Sequence, residues 1–174
     1  MIEFILGGAR SGKSRFAEQQ ASASNKEVYY IATAAAGDGE MSLRIKQHQQ
    51  QRPSHWFTVE EQINLADTLL QHDHRDRIFL IDCLTLWLSN ILFADSEQAN
   101  EARFKDQKLQ LLNTLPQLQA DIILVSNEVG QSITPINAMA RRFIDEAGRL
   151  HQEIASLSQR VNFVTAGLVQ QLKA

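Results

Sequence analysis

Short runs rich in Ile and Val alternate with helix-patterned segments along the chain, which predicts an α/β fold with a mainly parallel sheet flanked by helices. Two further observations narrow it. The apolar runs lack the strict polar alternation of a half-solvated sheet, as expected when both faces are covered. The first run passes directly into Gly7-Gly8-Ala9-Arg10-Ser11-Gly12-Lys13-Ser14, the strand–loop–helix setting of a glycine-rich phosphate loop. A P-loop NTPase-like fold is therefore expected. The 174 residues fit one compact unit, and no repeat, low-complexity tract or Pro/Gly-rich linker divides residues 1–174.

In chain order, strands are expected at Ile2–Leu6, Val28–Ala32, Ile78–Asp82, Ile122–Ser126 and Val161–Ala166, with a short extended piece at Trp56–Val59. Helices are expected from Gly12, over Met41–Gln51, near Ile63–Gln71 and over the charged segment Glu101–Leu115. A helix or apolar turn covers Leu84–Phe93, and a long helix Ala138–Ser156 follows a loop that ends at Pro135. Pro53 would end the second helix, because it restricts its predecessor and has no backbone donor.

Composition excludes several classes. With 44% apolar and 21% charged residues and a net charge of -3, the chain offers no basic field for nucleic acid. The run Ile2–Leu6 contains Glu3 and is too short for a signal peptide or a span, while Ile78–Phe93 is interrupted by Asp82, Ser89 and Asn90. No membrane span is expected. Cys83 stands alone, so no intrachain disulfide is possible, which fits a cytoplasmic protein.

The loop Gly7–Ser14 is expected to bind nucleotide phosphates. Gly7 and Gly12 permit backbone geometry closed to other residues, so that Gly8, Ala9, Arg10 and Ser11 can turn their N–H groups inward. Lys13 adds a charge at the outer phosphates, Ser14 offers a hydroxyl to magnesium, and the following helix aims its positive end at the anion. Asp82, ending Ile-Phe-Leu-Ile-Asp, resembles a second magnesium ligand, although an aspartate there also suits a helix cap. Cys83 reads as a small buried hydrophobe. A guanine-reading N-K-x-D motif is missing, since Ser126-Asn127-Glu128-Val129 does not match it, and the chain is small for a motor ATPase. A small-molecule transferase fits the size best.

Further blocks follow in order: Tyr30–Ala34 (YIATA), Glu40–Glu60 (EM…RI..H…RP..W.T.E), Asp82–Asn90 (DCLTLWLSN), Asn127–Pro135 (NEVG…P) and Arg141–Gln152 (R.F.D..G..HQ), before a closing Ala-Gly-Leu. From Gly7 to Leu168 the chain resembles the bifunctional adenosylcobinamide kinase / adenosylcobinamide-phosphate guanylyltransferase family of cobalamin synthesis. That resemblance implies two reactions. The aminopropanol hydroxyl of adenosylcobinamide is phosphorylated with ATP or GTP, and the product then receives GMP from GTP through a guanylylated histidine, which by motif position is His48. It also implies a homo-oligomer, often a trimer. The departures are Ser132, Ile144 and His151, where the family commonly has Gly, Arg and Asn; they bear on corrinoid contact or subunit packing.

If Met41–Arg52 is helical, Arg44, His48 and Arg52 share one face at i, i+4 and i+8. Two guanidiniums there can grip phosphate oxygens and disfavour the imidazolium, leaving a neutral nucleophile. On the pattern alone a solvated helix face with one incidental histidine is the better reading, and the resemblance reverses it. His55, His72, His74 and His151 read as structural or solvated; Trp56 and Trp87 read as packing residues. Thr33 and Glu60 are candidate nucleotide contacts, Glu60 with a plain strand end as its alternative. Without a covalent histidine the chain would be a simple P-loop kinase of a small alcohol.

Overall fold

The computed structural model describes residues 1–34, 53–94 and 97–174, the side chains of 97–99 excepted. Among them, strands β1 (Ile2–Gly7), β2 (Glu27–Ala32), β3 (Phe57–Glu60), β4 (Arg77–Asp82), β5 (Asp121–Asn127), β6 (Arg160–Thr165) and β7 (Leu168–Lys173) form one sheet. Its order is β3-β2-β4-β5-β1-β6-β7, and every pairing is parallel except that of β6 with β7. The α/β architecture and mainly parallel sheet match the expectation. The expected helix Met41–Gln51 lies outside the described residues.

Both faces of the central strands are covered, which explains the unbroken apolar runs. On one face helix α1 (Lys13–Ala23) lays Ala17 and Ala21 against Ile5, Val28, Leu80, Ile123 and Val125. The two alanines, one turn apart, let the helix lie close to the sheet. On the other face Phe4, Leu6, Ile31, Phe79, Ile81 and Leu124 pack under α2 (Leu65–Gln71), α3 (Leu84–Leu92), α4 (Glu97–Thr114) and α5 (Ala138–Leu157). Trp87 of α3 is fully buried there, and cutting it to alanine would cost roughly 3–5 kcal/mol.

Local chemistry sets the helix ends. Glu61 accepts from the amides of Ile63 and Asn64, both at 2.7 Å, so α2 begins at Leu65 instead of Ile63. Asn137 caps α5 by accepting from Met139 (2.8 Å) and Ala140 (3.3 Å). Helix α4 begins at Glu97, a turn before the expected Glu101, and passes into a 3₁₀ turn, Leu115–Gln117, at Pro116.

Two expectations need correction at the C-terminal end. Ala166, expected to end a strand, instead forms with Gly167 a two-residue turn in which both have positive φ (51° and 77°). That conformation matches the twist of a tight antiparallel hairpin. The hairpin's second arm, β7, was not anticipated: all six of its residues are exposed, so no buried face marks it in the sequence. No helix among the described residues is long and apolar enough to cross a membrane.

Candidate active site

Because β1 to β6 run parallel, their C-terminal ends share one edge of the sheet. The registers Gly7↔Asn127, Gly7↔Val164, Ala32↔Asp82 and Ala32↔Glu60 bring Gly7, Glu60, Asp82 and Asn127 to that edge. Ligands bind at this edge in open α/β sheets.

The loop after β1 is built as a cradle. Gly12 occupies the left-handed region (φ 96°) and caps α1, while Arg10 also has positive φ (56°). The loop closes on itself through Ser11 N–H to the Gly8 carbonyl (3.2 Å). A Cβ at Gly7 would lie 2.4 Å from the Val164 carbonyl and 2.5 Å from Ser11 Oγ, so only glycine fits. Ser11 Oγ is buried without a hydrogen-bond partner among the described residues. Ala9 and Arg10 are exposed and Ser14 is half-buried.

Lys13 is 8% exposed and donates from Nζ to the Gly8 carbonyl at 3.0 Å, so its ammonium folds back over the loop. Burial pushes its pKa below the usual lysine range, and the Asp82 carboxylate opposes that shift. The loop thus brings a shielded ammonium to the N-terminus of α1, where free backbone N–H groups and the helix dipole favour an anion.

The hairpin after β6 supports this loop. Gly167 donates from its amide to the Ser11 carbonyl at 2.8 Å, and a Cβ on Gly12 would sit 3.3 Å from Gly167 Cα. Sequence reasoning assigned no role to Gly167. Its Ala-Gly-Leu context signals a turn, but not the partner of that turn.

Asp82 ends β4 and accepts from the Tyr30 hydroxyl at 3.2 Å. It does not cap α3: the N-cap position is Cys83, with no side-chain cap bond. Thr33 is fully buried and has its hydroxyl committed to Cys83, donating to the carbonyl (2.7 Å) and accepting from the amide (2.8 Å). In this arrangement Thr33 fixes the backbone beside Asp82 instead of facing solvent. The peptide bond Asp82–Cys83 is cis. Cys83 itself is buried, and burial and then Asp82 push its thiol up to about 11, so it behaves as the expected small hydrophobe.

Helix α3 fastens this edge. Asn90 Nδ2 donates to the carbonyls of Thr33 (2.8 Å) and Gln62 (3.2 Å), Trp87 Nε1 to Ile63 (2.8 Å), and Thr85 Oγ1 accepts from the Asn127 amide (2.7 Å). The block DCLTLWLSN thus joins the ends of β2, β4 and β5 to the connection after β3. Trp87 is the packing residue it was expected to be.

Glu60 is exposed at the end of β3, and His55 is exposed before it. His72 packs at 5.3 Å from the Tyr29 ring, and His74 accepts from the Asp76 amide. His151 needs correction. Expected on a solvated helix face, it is buried, bonded through Nε2 to Ser126 Oγ at 2.8 Å, and 5.5 Å from the Phe4 ring. Burial pushes its pKa below 6.5, against the opposing pull of Glu128. Ser132 is exposed and Ile144 half-buried near Gly130. Arg44, His48 and Arg52 lie outside the described residues.

Comparison with known proteins agrees with this layout. Solved structures of RadB recombinase (TM-score 0.50, 15% identity, 93% of this chain and 73% of that one) and of a type III secretion system ATPase (TM-score 0.58, 14%, 94% and 51%) share the fold. Among curated proteins, the chain is 51% identical over 173 residues to the bifunctional adenosylcobalamin biosynthesis protein CobP of Pseudomonas aeruginosa, covering 99% of this chain and 98% of that protein. It is 36% identical over 182 residues to the corresponding CobU of Escherichia coli, covering 99% and 100%. A family model described as cobinamide kinase / cobinamide phosphate guanyltransferase matches residues 3–172, from the first strand to the hairpin behind the phosphate loop. With fold, loop and nearly every residue accounted for by that match, the chain belongs to the cobinamide kinase / cobinamide phosphate guanyltransferase family.

Proposed function

We propose that this chain is a bifunctional transferase of adenosylcobalamin synthesis. It phosphorylates adenosylcobinamide with ATP or GTP, then transfers GMP from GTP to adenosylcobinamide phosphate through a guanylylated His48. The products are adenosylcobinamide-GDP and pyrophosphate. The observation that carries this reading is the match over residues 3–172, joined to a phosphate cradle at the C-terminal edge of the sheet.

Both reactions would use the same loop. The amides of Gly7–Ser14 and the Lys13 ammonium would hold the β and γ phosphates. In phosphoryl transfer, Lys13 faces charge on the leaving nucleoside diphosphate; in guanylyl transfer, it faces charge on the leaving pyrophosphate. Ser14 and Asp82 would hold a magnesium ion. Their chemistry fits: one hydroxyl and one carboxylate near a shielded ammonium, with no cluster of three or more His, Cys, Asp or Glu side chains among the described residues. Such an ion takes most of its oxygens from phosphate and water, and it supplies charge neutralisation when bound. Glu60, at the outer end of the edge, is proposed as a nucleotide contact. Thr33 is proposed to act on nucleotide only through the Asp82–Cys83 backbone.

His48 would attack the α-phosphorus from an element other than the loop, with Arg44 and Arg52 gripping the phosphates. The family resemblance extends the proposal to a homotrimer, and the lone Cys83 supports a cytoplasmic setting. Incubation with γ-labelled and α-labelled GTP in parallel tests the reading. Label should pass to adenosylcobinamide in the first case and to the protein in the second; transfer of γ-label with no protein-bound α-label would leave a simple kinase.

A further inference from the structure

The block Asn127–Gly130 has no part in the reactions as described above, yet it lies beside the phosphate loop. Strand β5 neighbours β1, and the first residue beyond it, Glu128, donates its amide to the Gly7 carbonyl at 3.0 Å. We propose that Glu128 is the carboxylate that orients and deprotonates the acceptor hydroxyl in phosphoryl transfer, with His151, Ser126 and Thr85 as its positioning residues. This rests on the kinase activity proposed above.

The surroundings of the carboxylate carry the argument. Its side chain is 20% exposed, Oε1 accepts from the Gly130 amide at 2.6 Å, and Oε2 lies 3.8 Å from His151 Nδ1. A Cβ at Gly130 would sit 3.0 Å from Oε1, so the glycine leaves room for the carboxylate. Among the described residues no lysine or arginine pairs with it, and Oε2, which accepts no hydrogen bond there, can take a proton. The other carboxylates at this edge are placed differently. Glu61 is committed to the Ile63 and Asn64 amides, Asp82 is the proposed metal ligand, and Glu60 ends the outermost strand.

Behind Glu128 the hydrogen bonds have one consistent direction. A carboxylate 3.8 Å from Nδ1 favours the tautomer with the proton there, and in that tautomer Nε2 accepts from the Ser126 hydroxyl. Ser126 Oγ then accepts from Thr85 Oγ1 at 3.1 Å, and Thr85 Oγ1 accepts from the Asn127 amide at 2.7 Å. Each hydroxyl donates once and accepts once. The chain is buried against Phe4, and burial favours the uncharged imidazole, which keeps Glu128 out of a full ion pair.

In the step itself, the acceptor oxygen bonds to the γ-phosphorus as the bond to the β–γ bridging oxygen breaks. The electron pair of that bond leaves with the nucleoside diphosphate, and the hydroxyl proton passes to Glu128.

The test is Glu128→Gln, assayed for γ-label transfer to adenosylcobinamide and for protein labelling from α-labelled GTP. Glutamine keeps an oxygen for the Gly130 amide but cannot take a proton. Phosphoryl transfer should therefore fall by about 10²-fold in kcat, with KM for nucleotide and protein labelling retained. His151→Leu should lower the same kcat, and His151→Asn should restore it, since an amide can accept from Ser126 and donate towards Glu128. Undiminished kcat in Glu128→Gln, or a parallel loss of both activities, would overturn the assignment. Absence of γ-label transfer by the unmodified protein would instead remove the kinase reading beneath it.

Discussion

Thr33 and Cys83 exchange two hydrogen bonds: the threonine hydroxyl donates to the Cys83 carbonyl at 2.7 Å and accepts from its amide at 2.8 Å. The carbonyl has a second donor in the Trp87 amide (3.2 Å), so the amide depends on Thr33 more than the carbonyl does. Thr33→Val should leave that buried N–H unpaired and cost about 1–3 kcal/mol, while Thr33→Ser should cost less. Urea denaturation midpoints measure both. Equal midpoints for Thr33→Val and the parent would mean that the edge beside Asp82 is held by Asn90 and Trp87 alone.

Lys13 is proposed to neutralise the triphosphate in both transfers. Lys13→Ala should lower each by about 10²-fold or more, the size of effect seen when one preorganised donor to developing charge is removed. A near-normal phosphoryl-transfer rate with weakened guanylyl transfer would argue for two separate phosphate sites.

Asp82 accepts from the Tyr30 hydroxyl through Oδ2 and does not cap α3, and its other oxygen is the proposed magnesium ligand. Asp82→Asn should raise the magnesium concentration needed for half-maximal rate by about tenfold or more, a loss that even outer-shell changes at metal sites produce. The shift should appear in both reactions. An unchanged titration would assign Asp82 to holding Tyr30.

His151 has its pKa pushed below 6.5 by burial in the folded chain. Between that depressed value and the unfolded value, the unfolded chain binds more protons, so stability is present above about pH 6.5 and is lost as pH falls through this window. Relative to the parent, His151→Asn should show a shallower fall in unfolding free energy between neutral pH and the acid side of that window. Parallel curves would place His151 in solvent contact.

The parts read correctly from the sequence are those with a local cause. Gly7–Ser14 is contiguous, and its glycines, lysine and serine announce a phosphate loop before any packing is known. Strands β1, β2, β4 and β5 are legible because their faces are buried and their residues branched. Strand β7, Leu-Val-Gln-Gln-Leu-Lys, has no buried face and gives no period to find. The chain from Thr85 through Ser126 to His151 comes from α3, β5 and α5, joined across 41 and 25 positions, and no spacing rule connects them. His151 looked solvated because its helix neighbours, Arg149, Gln152 and Glu153, are polar; only the packing of α5 on β1 and β5 turns it inward.

The residue proposed to separate a bifunctional enzyme from a simple kinase is His48. Phosphorylation of an alcohol by a γ-phosphate needs no covalent stage on the protein, whereas the proposed guanylyl transfer passes through a bond between an imidazole nitrogen and the α-phosphorus. His48→Asn should therefore abolish protein labelling from α-labelled GTP and spare much of the phosphoryl transfer to adenosylcobinamide. The label on the parent should behave as a phosphorus–nitrogen linkage, lost in acid and kept in base, and should be discharged by adenosylcobinamide phosphate. Arg52→Ala should weaken GTP capture without moving the site of attachment, because a guanidinium grips phosphate but does not attack it. Peptide mapping decides the point: label found in His48→Asn at His55 or at a lysine would remove the nucleophile assignment and leave Arg44 and Arg52 as a phosphate clamp.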